Sequence, residues 1–404
     1  MPLQREVFKR YTVCFCAVLS AYLILVVSVT TTVDPWRVLR MPWALESLEE
    51  YRDFSDAHRT GKAGLALDPE GWDIAFVGSS RVENGLDTSY EAFGKKRVVN
   101  LGLAGGLIDE NTAMGHFLIT KNPGLKTILF GVDTGDLTSL ADMSSSSDFY
   151  LSPLAAGSSG MERKISYLTS VRALTDSLAV VTNRIKEQKS KYTLTGQRIG
   201  KLGDPPPFRE FIVSRKGFYQ SQARAFDPPA ESPFNSKKYE KLAGFLKAAR
   251  SAGIKVIVFV TPRHALLQIH PQENAPTEAP WQRERLALIR LCEETNALPL
   301  GGPEISLLDF CTFSPLNTQA LPEPEPSDPP FTAWPDLEHY EHQIGVQILE
   351  RCFGSDAETI PQWGVDVLAV GAEKYFSDLR TGHEQYCREH PENVAWFREV
   401  IFAE

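Results

Sequence analysis

Two short clusters carry the residue types that acyl chemistry needs. Gly78-Ser79-Ser80 ends the apolar run Asp73-Ile-Ala-Phe-Val77, and Asp336-Leu-Glu-His339 precedes a stretch with Ile344, Ile348 and Leu349 at helical spacing. A serine hydroxyl is a weak nucleophile and needs a base to take its proton. His339 is the best candidate base. Asp336, three residues earlier, is expected one helical turn away, where its carboxylate would hold the imidazole in the proton-accepting tautomer. A serine in the turn after a strand can present its hydroxyl to a cleft while backbone N–H groups of the turn face a developing oxyanion. Each cluster alone has a plainer explanation, since Gly-Ser-Ser turns are common and an aspartate ahead of a helix is a favoured N-cap. Their joint occurrence, one at the first strand and one before a late helix, points to a catalytic pair.

Other chemistry-bearing residues are less specific. His264 and His270 are candidates to line such a site, although a histidine after a strand is more often packed or hydrogen-bonded. Asp336, His339 and His342 could be pictured as metal ligands, but no further ligand set with suitable spacing stands out, so no metal and no cofactor are expected. Gly102, Gly105 and Gly106 lack the G-x-G-x-x-G order of a dinucleotide fingerprint. Arg81, beside Ser80, reads either as a group binding an anionic sugar or acyl substrate or as a solvated arginine.

These residues need a scaffold. Asp73–Val77, Arg97–Asn100, Thr127–Phe130 and Lys255–Val260 are continuously apolar, glycine-punctuated runs alternating with helical stretches such as 109–120, the pattern of a parallel sheet covered on both faces. An α/β domain over 72–353 is expected, with functional residues at the carboxyl ends of its strands. Residues 137–235 form a long insertion between the third and fourth strands, bounded by the serine run 144–147 and by Pro205–Pro207 and Pro228-Pro229. Within it Ile165, Leu168, Val171, Leu174, Leu178, Val181 and Ile185 recur at helical spacing, which predicts one long helix over 161–189. A second proline-rich stretch, Pro322–Pro330, leads into the Asp336 segment, and a mixed helical tail over 354–404 is expected to lie outside the main sheet.

Tyr11 to Val33 runs for 23 residues without a charge, long enough at about 35 Å to cross a bilayer as a helix. Arg5, Lys9 and Arg10 precede it, which places residues 1–10 in the cytoplasm and the body of the chain on the other side. A cleaved signal peptide is the rival reading, but no convincing small-x-small cleavage site follows. Residues 34–71 read as a juxtamembrane connector. The 404-residue chain has 42 Lys and Arg against 51 Asp and Glu, a net charge of −9, which argues against nucleic acid as a partner. Its average composition excludes disordered, collagenous and coiled-coil classes. Cys14 and Cys16 fall in the membrane stretch, whereas Cys292, Cys311, Cys352 and Cys387 lie where disulfides can persist, in any of three connectivities.

With these motifs in place, the sequence resembles the SGNH/GDSL hydrolase superfamily, serine esterases and acyltransferases. The resemblance runs through short blocks over about residues 72–353. It implies a flavodoxin-like three-layer α/β/α fold with Ser80 as nucleophile, Ser79 standing where the family has aspartate. Asn100-Leu-Gly-Leu-Ala-Gly105 matches the second block, implying that Gly105 donates its N–H to an oxyanion hole, and Asp336-Leu-Glu-His339 matches the last. The third block normally supplies an asparagine donor. Here it reads Gly131-Val-Asp-Thr134, so Thr134 is the candidate substitute, or the activity is slow, or the protein is a silent relative. Gly-Ser-Ser-Arg, Pro262-Arg-His264 and Asp-x-x-His-Tyr make the chain similar to membrane-anchored bacterial members related to alginate O-acetyltransferase-like proteins. That implies a periplasmic domain on a single-pass inner-membrane anchor and a glycan or acyl-ester substrate. Other envelope proteins are candidate partners. The alternative is a catalytically silent glycan-binding or scaffold protein of an export complex.

Overall fold

Short, mostly apolar runs of the chain form the sheet of the fold. The computed structural model describes residues 2–137, 146–155, 160–199, 208–220, 235–269, 280–321, 333–354 and 363–402. It divides into two compact units, Met1–Leu67 with Ser146–Leu194, and Asp68–Ser145 with Thr195–Glu404.

The second unit holds a six-stranded, mostly parallel sheet. Its strands are β1 (Ile74–Val77), β2 (Val98–Asn100), β3 (Thr127–Val132), β4 (Lys255–Val260), β5 (Ser306–Asp309) and β6 (Val365–Asp366), in the order β2-β1-β3-β4-β5-β6. Only β6 runs antiparallel, against β5. Alternation along the strands splits their side chains between two faces. Ile74, Phe76, Leu129, Ile257, Phe259 and Leu308 pack with Ile344, Ile348 and Leu349 of the helix His342–Phe353. On the opposite face the ring of Phe130 stacks at 4.8 Å on Phe245 of the helix Ser236–Ser251. A Cβ at Gly115, in the neighbouring helix Ile108–Lys121, would meet Phe245 at 2.4 Å, so glycine lets these two helices close on each other.

The four expected strands are present. β5 and β6 are short, and neither stands out in the sequence. The tail is not separate from the sheet: it supplies β6, and its helices Ala372–Glu389 and Pro391–Phe402 bring Tyr386, Val394, Phe397 and Ile401 into a cluster with Leu266 and Leu337. Burial of this apolar set, at about 25 cal/mol per Å², draws the tail onto the segment that carries His339.

The first unit is built on the helix Pro2–Val33, long and apolar enough to cross a bilayer. Val33, Leu48 and Val180 form a small core at its end, and Thr30 Oγ1 donates to the Leu168 carbonyl at 2.9 Å. The expected helix over 161–189 is two helices, Gly160–Thr169 and Val171–Ile185. Ser170 makes the break. Its backbone is extended and its hydroxyl accepts from the Ala173 N–H at 3.1 Å, an N-cap that competes with helix continuation. The serine run at 144–145, both paired-proline pieces, Pro322–Pro330 and His270 lie outside the described residues.

All six cysteines are free thiols, so none of the three possible connectivities forms. Burial pushes the Cys292 and Cys352 thiols up to about 12.

Candidate active site

At the end of β1 the chain turns at once into the short helix Ser80–Gly85. The turn requires glycine at 78, where a Cβ would stand 2.4 Å from Val82 Cγ2 and 3.2 Å from the Gly131 carbonyl. Ser79 is the N-cap of this helix, its hydroxyl accepting from the Arg81 N–H at 3.3 Å. Ser80 therefore occupies the first helical position, at the carboxyl edge of the sheet.

Ser80 Oγ lies 2.9 Å from His339 Nε2, and His339 Nδ1 lies 2.8 Å from Asp336 Oδ2. The network assigns the tautomer: Nδ1–H donates to the carboxylate, leaving Nε2 to accept from the serine hydroxyl. Burial alone would lower the His339 pKa, but the hydrogen bond and charge of Asp336 outweigh it and raise the value above that of an ordinary histidine. Asp336 moves the other way. Burial opposes its ionisation, yet the hydrogen bonds and charge of His339 hold it below the usual carboxylate range.

Asp336 and His339 are not on the helical turn expected of them. The helix begins only at His342, and residues 336–339 are a loop folded around the carboxylate, with Asp336 Oδ1 accepting from the Glu338 and His339 N–H groups at 2.7 Å each. This Asx-type turn brings the pair together at the same spacing of three. His264 braces the loop. Its own N–H donates to the Leu337 carbonyl, and its buried ring sits between the Leu266 N–H and the Gln319 carbonyl. Burial lowers its pKa to about 4 and keeps it neutral. His264 therefore holds the loop that carries Asp336 and His339 from within the core. His342 is half exposed, 3.6 Å from Asp87, and no group of three or more potential metal ligands gathers among the described residues.

Gly105 has φ +62 in the turn Leu103–Gly106, closed by the Gly106 N–H on the Leu103 carbonyl at 2.7 Å. That left-handed geometry favours glycine. Neither the Gly105 N–H nor the Ser80 N–H donates to another group among the described residues. Asn100 joins this turn to the helix Ser80–Gly85, its side chain donating to the Val82 and Leu86 carbonyls at 2.9 Å each and accepting from the Gly102 N–H at 3.0 Å. Asn111 is buried under the same turn. Among the described residues neither polar atom of its amide has a hydrogen-bond partner, and Oδ1 lies 3.0 Å from where a Gly106 Cβ would stand.

Arg81 and Thr134 are not where the sequence places them in function. Arg81 is only 5% exposed, with Nη1 at 2.5 Å from Asp133 Oδ2, Nη2 at 2.9 Å from Glu338 Oε1, and Nε donating to the Glu338 carbonyl at 2.9 Å. It is neither solvated nor open to a substrate. It is a fastener joining the helix of Ser80 to the end of β3 and to the loop of His339. Thr134 directs its hydroxyl at Cys311 Sγ, 3.8 Å away, and its carbonyl accepts from Arg263 at 2.8 Å. The group expected to replace the asparagine is thus engaged elsewhere. Asp133, at the asparagine position itself, accepts from Thr261 Oγ1 at 2.6 Å and from the Ser79 hydroxyl. Burial opposes its charge, but Arg81 and these hydrogen bonds hold its pKa down at about 2. Asp136, whose carboxylate accepts the Asp133 N–H at 2.9 Å, is pushed up instead by burial and by the negative charge of Asp133.

The parts that sequence reasoning missed are this buried ion-pair network and Asn111. A Ser-Arg pair together with a lone aspartate in place of asparagine was the available signal for the ion pair. No spacing rule marks Asn111. No protein-family model matches the chain, and no curated protein is significantly similar to it, so the reading of this site rests on its geometry.

Proposed function

We propose that the chain is a membrane-anchored serine esterase or O-acyltransferase of the SGNH hydrolase type. The observation that carries this reading is the continuous hydrogen-bonded line Ser80–His339–Asp336, with distances of 2.9 and 2.8 Å. The strand order 2-1-3-4-5 within the sheet, that of flavodoxin-like doubly wound folds, supports it. So does the position of Ser80 at the carboxyl end of the first strand.

In the reaction, Ser80 Oγ attacks an ester carbonyl while its proton passes to His339 Nε2, and Asp336 stabilises the imidazolium. The Ser80 and Gly105 N–H groups stabilise the oxyanion. Collapse of the intermediate breaks the ester bond, and the leaving alkoxide takes the proton from His339. Water or a sugar hydroxyl then gives up a proton to His339 and attacks the acyl-serine, and as the acyl–Oγ bond breaks the imidazolium returns that proton to Ser80 Oγ. With Asp133 ionised, no asparagine donor completes the hole. The absence of one such donor costs about 3–4 kcal/mol, so a slow catalyst, by roughly 10²–10³ against a three-donor site, is expected.

The helix Pro2–Val33 serves as the anchor in this reading. Arg5, Lys9 and Arg10 favour a cytoplasmic N-terminus, and the resemblance to membrane-anchored bacterial members suggests an inner-membrane location with a periplasmic catalytic unit. An exported or cell-surface glycan ester is the substrate class such placement favours. A second reading, a silent glycan-binding or scaffold protein, is favoured by one specific observation, the aspartate at 133.

The test uses the full chain in detergent, assayed for fluorophosphonate labelling and p-nitrophenyl acetate hydrolysis beside Ser80→Ala and His339→Ala. Both signals should fall to background in the variants. Labelling that persists in Ser80→Ala sinks the nucleophile assignment, and a folded wild type with neither signal leaves the scaffold reading standing.

A further inference from the structure

The first unit carries a surface that its own packing does not use. In the helix Val171–Ile185, Ala173, Ser177 and Val180 are buried. Val171, Leu174, Leu178, Val181 and Ile185 form a second apolar stripe, spaced three and four residues apart and confined to an arc of about 80° by helical geometry. Most of it is open: Val171 is 69% exposed, Leu178 52% and Ile185 77%. Met161 and Ile165 extend exposed apolar surface onto the helix Gly160–Thr169. An apolar stripe left open on a structured helix marks something that covers it.

Three further observations identify the cover. The two helices are seated on the last turns of Pro2–Val33, through Thr30 to Leu168 and Val33 to Val180, so the stripe belongs to the unit from which the apolar helix emerges. Trp43, 57% exposed, lies on the loop tied back to the exit of that helix by the Leu45 N–H on the Thr32 carbonyl at 2.9 Å, and tryptophan favours the membrane interface. Finally, residues 160–191 hold seven Lys and Arg against three Asp and Glu, in a chain whose net charge is −9. Lys164, Lys186 and Lys191 are exposed and make no ion pair among the described residues. A positive apolar surface beside an apolar anchor is complementary to anionic lipid, whereas two copies of it would bring like charges together.

We propose that the helical pair 160–185 is a second membrane contact, its apolar stripe set into the headgroup region of an anionic bilayer with lysines 164, 186 and 191 at the lipid phosphates. This rests on Pro2–Val33 being a membrane anchor, and the test separates the two.

The full chain, with Cys14→Ser and Cys16→Ser, is labelled with the environment-sensitive fluorophore NBD at Leu178→Cys or, independently, Ile185→Cys. It is reconstituted into vesicles of phosphatidylethanolamine and phosphatidylglycerol, with unlabelled-site background subtracted. Ala179→Cys, on the other side of the helix, is the water-facing control. At 178 and 185 the emission should shift to the blue and be quenched by doxyl-labelled lipid. Both effects should weaken several-fold in phosphatidylcholine vesicles or in Lys186→Glu/Lys191→Glu. A chain that does not float with vesicles refutes the anchor. A chain that floats while its 178 and 185 labels stay water-like refutes the lipid contact alone. Labels that are shielded, unquenched by doxyl lipid and in energy transfer between molecules assign the stripe to a second copy and overturn the proposal.

Discussion

Replacing Asp133 with asparagine would put into the third block the residue type that the family resemblance expects there. On that resemblance alone the variant should be a better enzyme, because an amide donor joins the oxyanion hole. The structure sets the opposite expectation. The Asp133 carboxylate is spent on Arg81 at 2.5 Å and Thr261 at 2.6 Å, and Arg81 is almost fully buried. Removing one partner of a buried ion pair leaves an uncompensated charge at a cost of about 3–5 kcal/mol. Glu338 stays 2.9 Å from the guanidinium, so the low end applies, about 3 kcal/mol. For a unit of this size that lowers Tm by roughly 5–10 °C. The sign of the pH dependence follows from the depressed carboxyl. Its contribution is present above the unfolded-state value of 3.8 and is lost as pH falls toward about 2. Asp133→Asn should therefore be less stable at pH 7 and lose less on acidification. Thermal unfolding of the detergent-solubilised chain at pH 7 and pH 3, with esterase turnover on the same preparation, checks this. An asparagine variant that melts with the wild type, or turns over faster, would refute the argument that Asp133 serves Arg81 rather than the oxyanion.

Other outcomes follow from the same geometry. His339 must be neutral to act as base and its pKa is raised, so the rate of serine acylation should climb through an apparent pKa above the ordinary 6.5, measured by fluorophosphonate labelling against pH. A profile that levels off below pH 6 contradicts the assignment. Gly105→Ala forces a side chain into φ +62, at a strain of about 1–2 kcal/mol. Because open space surrounds that position, the fold should survive while labelling slows much more than the loss of stability explains. The buried thiol of Cys292 should react with a maleimide only after denaturation, and non-reducing electrophoresis should match reducing. A shifted band would mean a disulfide that the structure does not contain.

Local chemistry was legible wherever the chain acts through near neighbours. A strand core is an apolar run, so β1 to β4 could be read directly. Ser80, Asp336 and His339 could be named because strand-end turns and a spacing of three are local features. A 23-residue uncharged stretch needs no tertiary context to be seen as bilayer-length. The reading failed where the deciding partner is distant in the chain. Nothing near Arg81 indicates that Asp133 and Glu338 close over it, and a charged side chain is read as solvated until its long-range partners are known. Thr134 lost its expected donor role to Cys311, 177 positions away. The helix 161–189 has unbroken periodicity, because hydrophobic spacing does not register one serine hydroxyl capping a new helix at Ser170. The tail reads as an appendage, yet β6 pairs with β5 and its helices bury Leu337, since a two-residue strand exists only through its partner. Sequence by itself determined which residues had the chemistry and which segments could form elements. Only the tertiary structure decided that Ser80 meets His339 across 259 positions, and that an ion pair, rather than a substrate, claims the arginine beside it. The physical reason is that burial and pairing of charge are properties of the assembled fold.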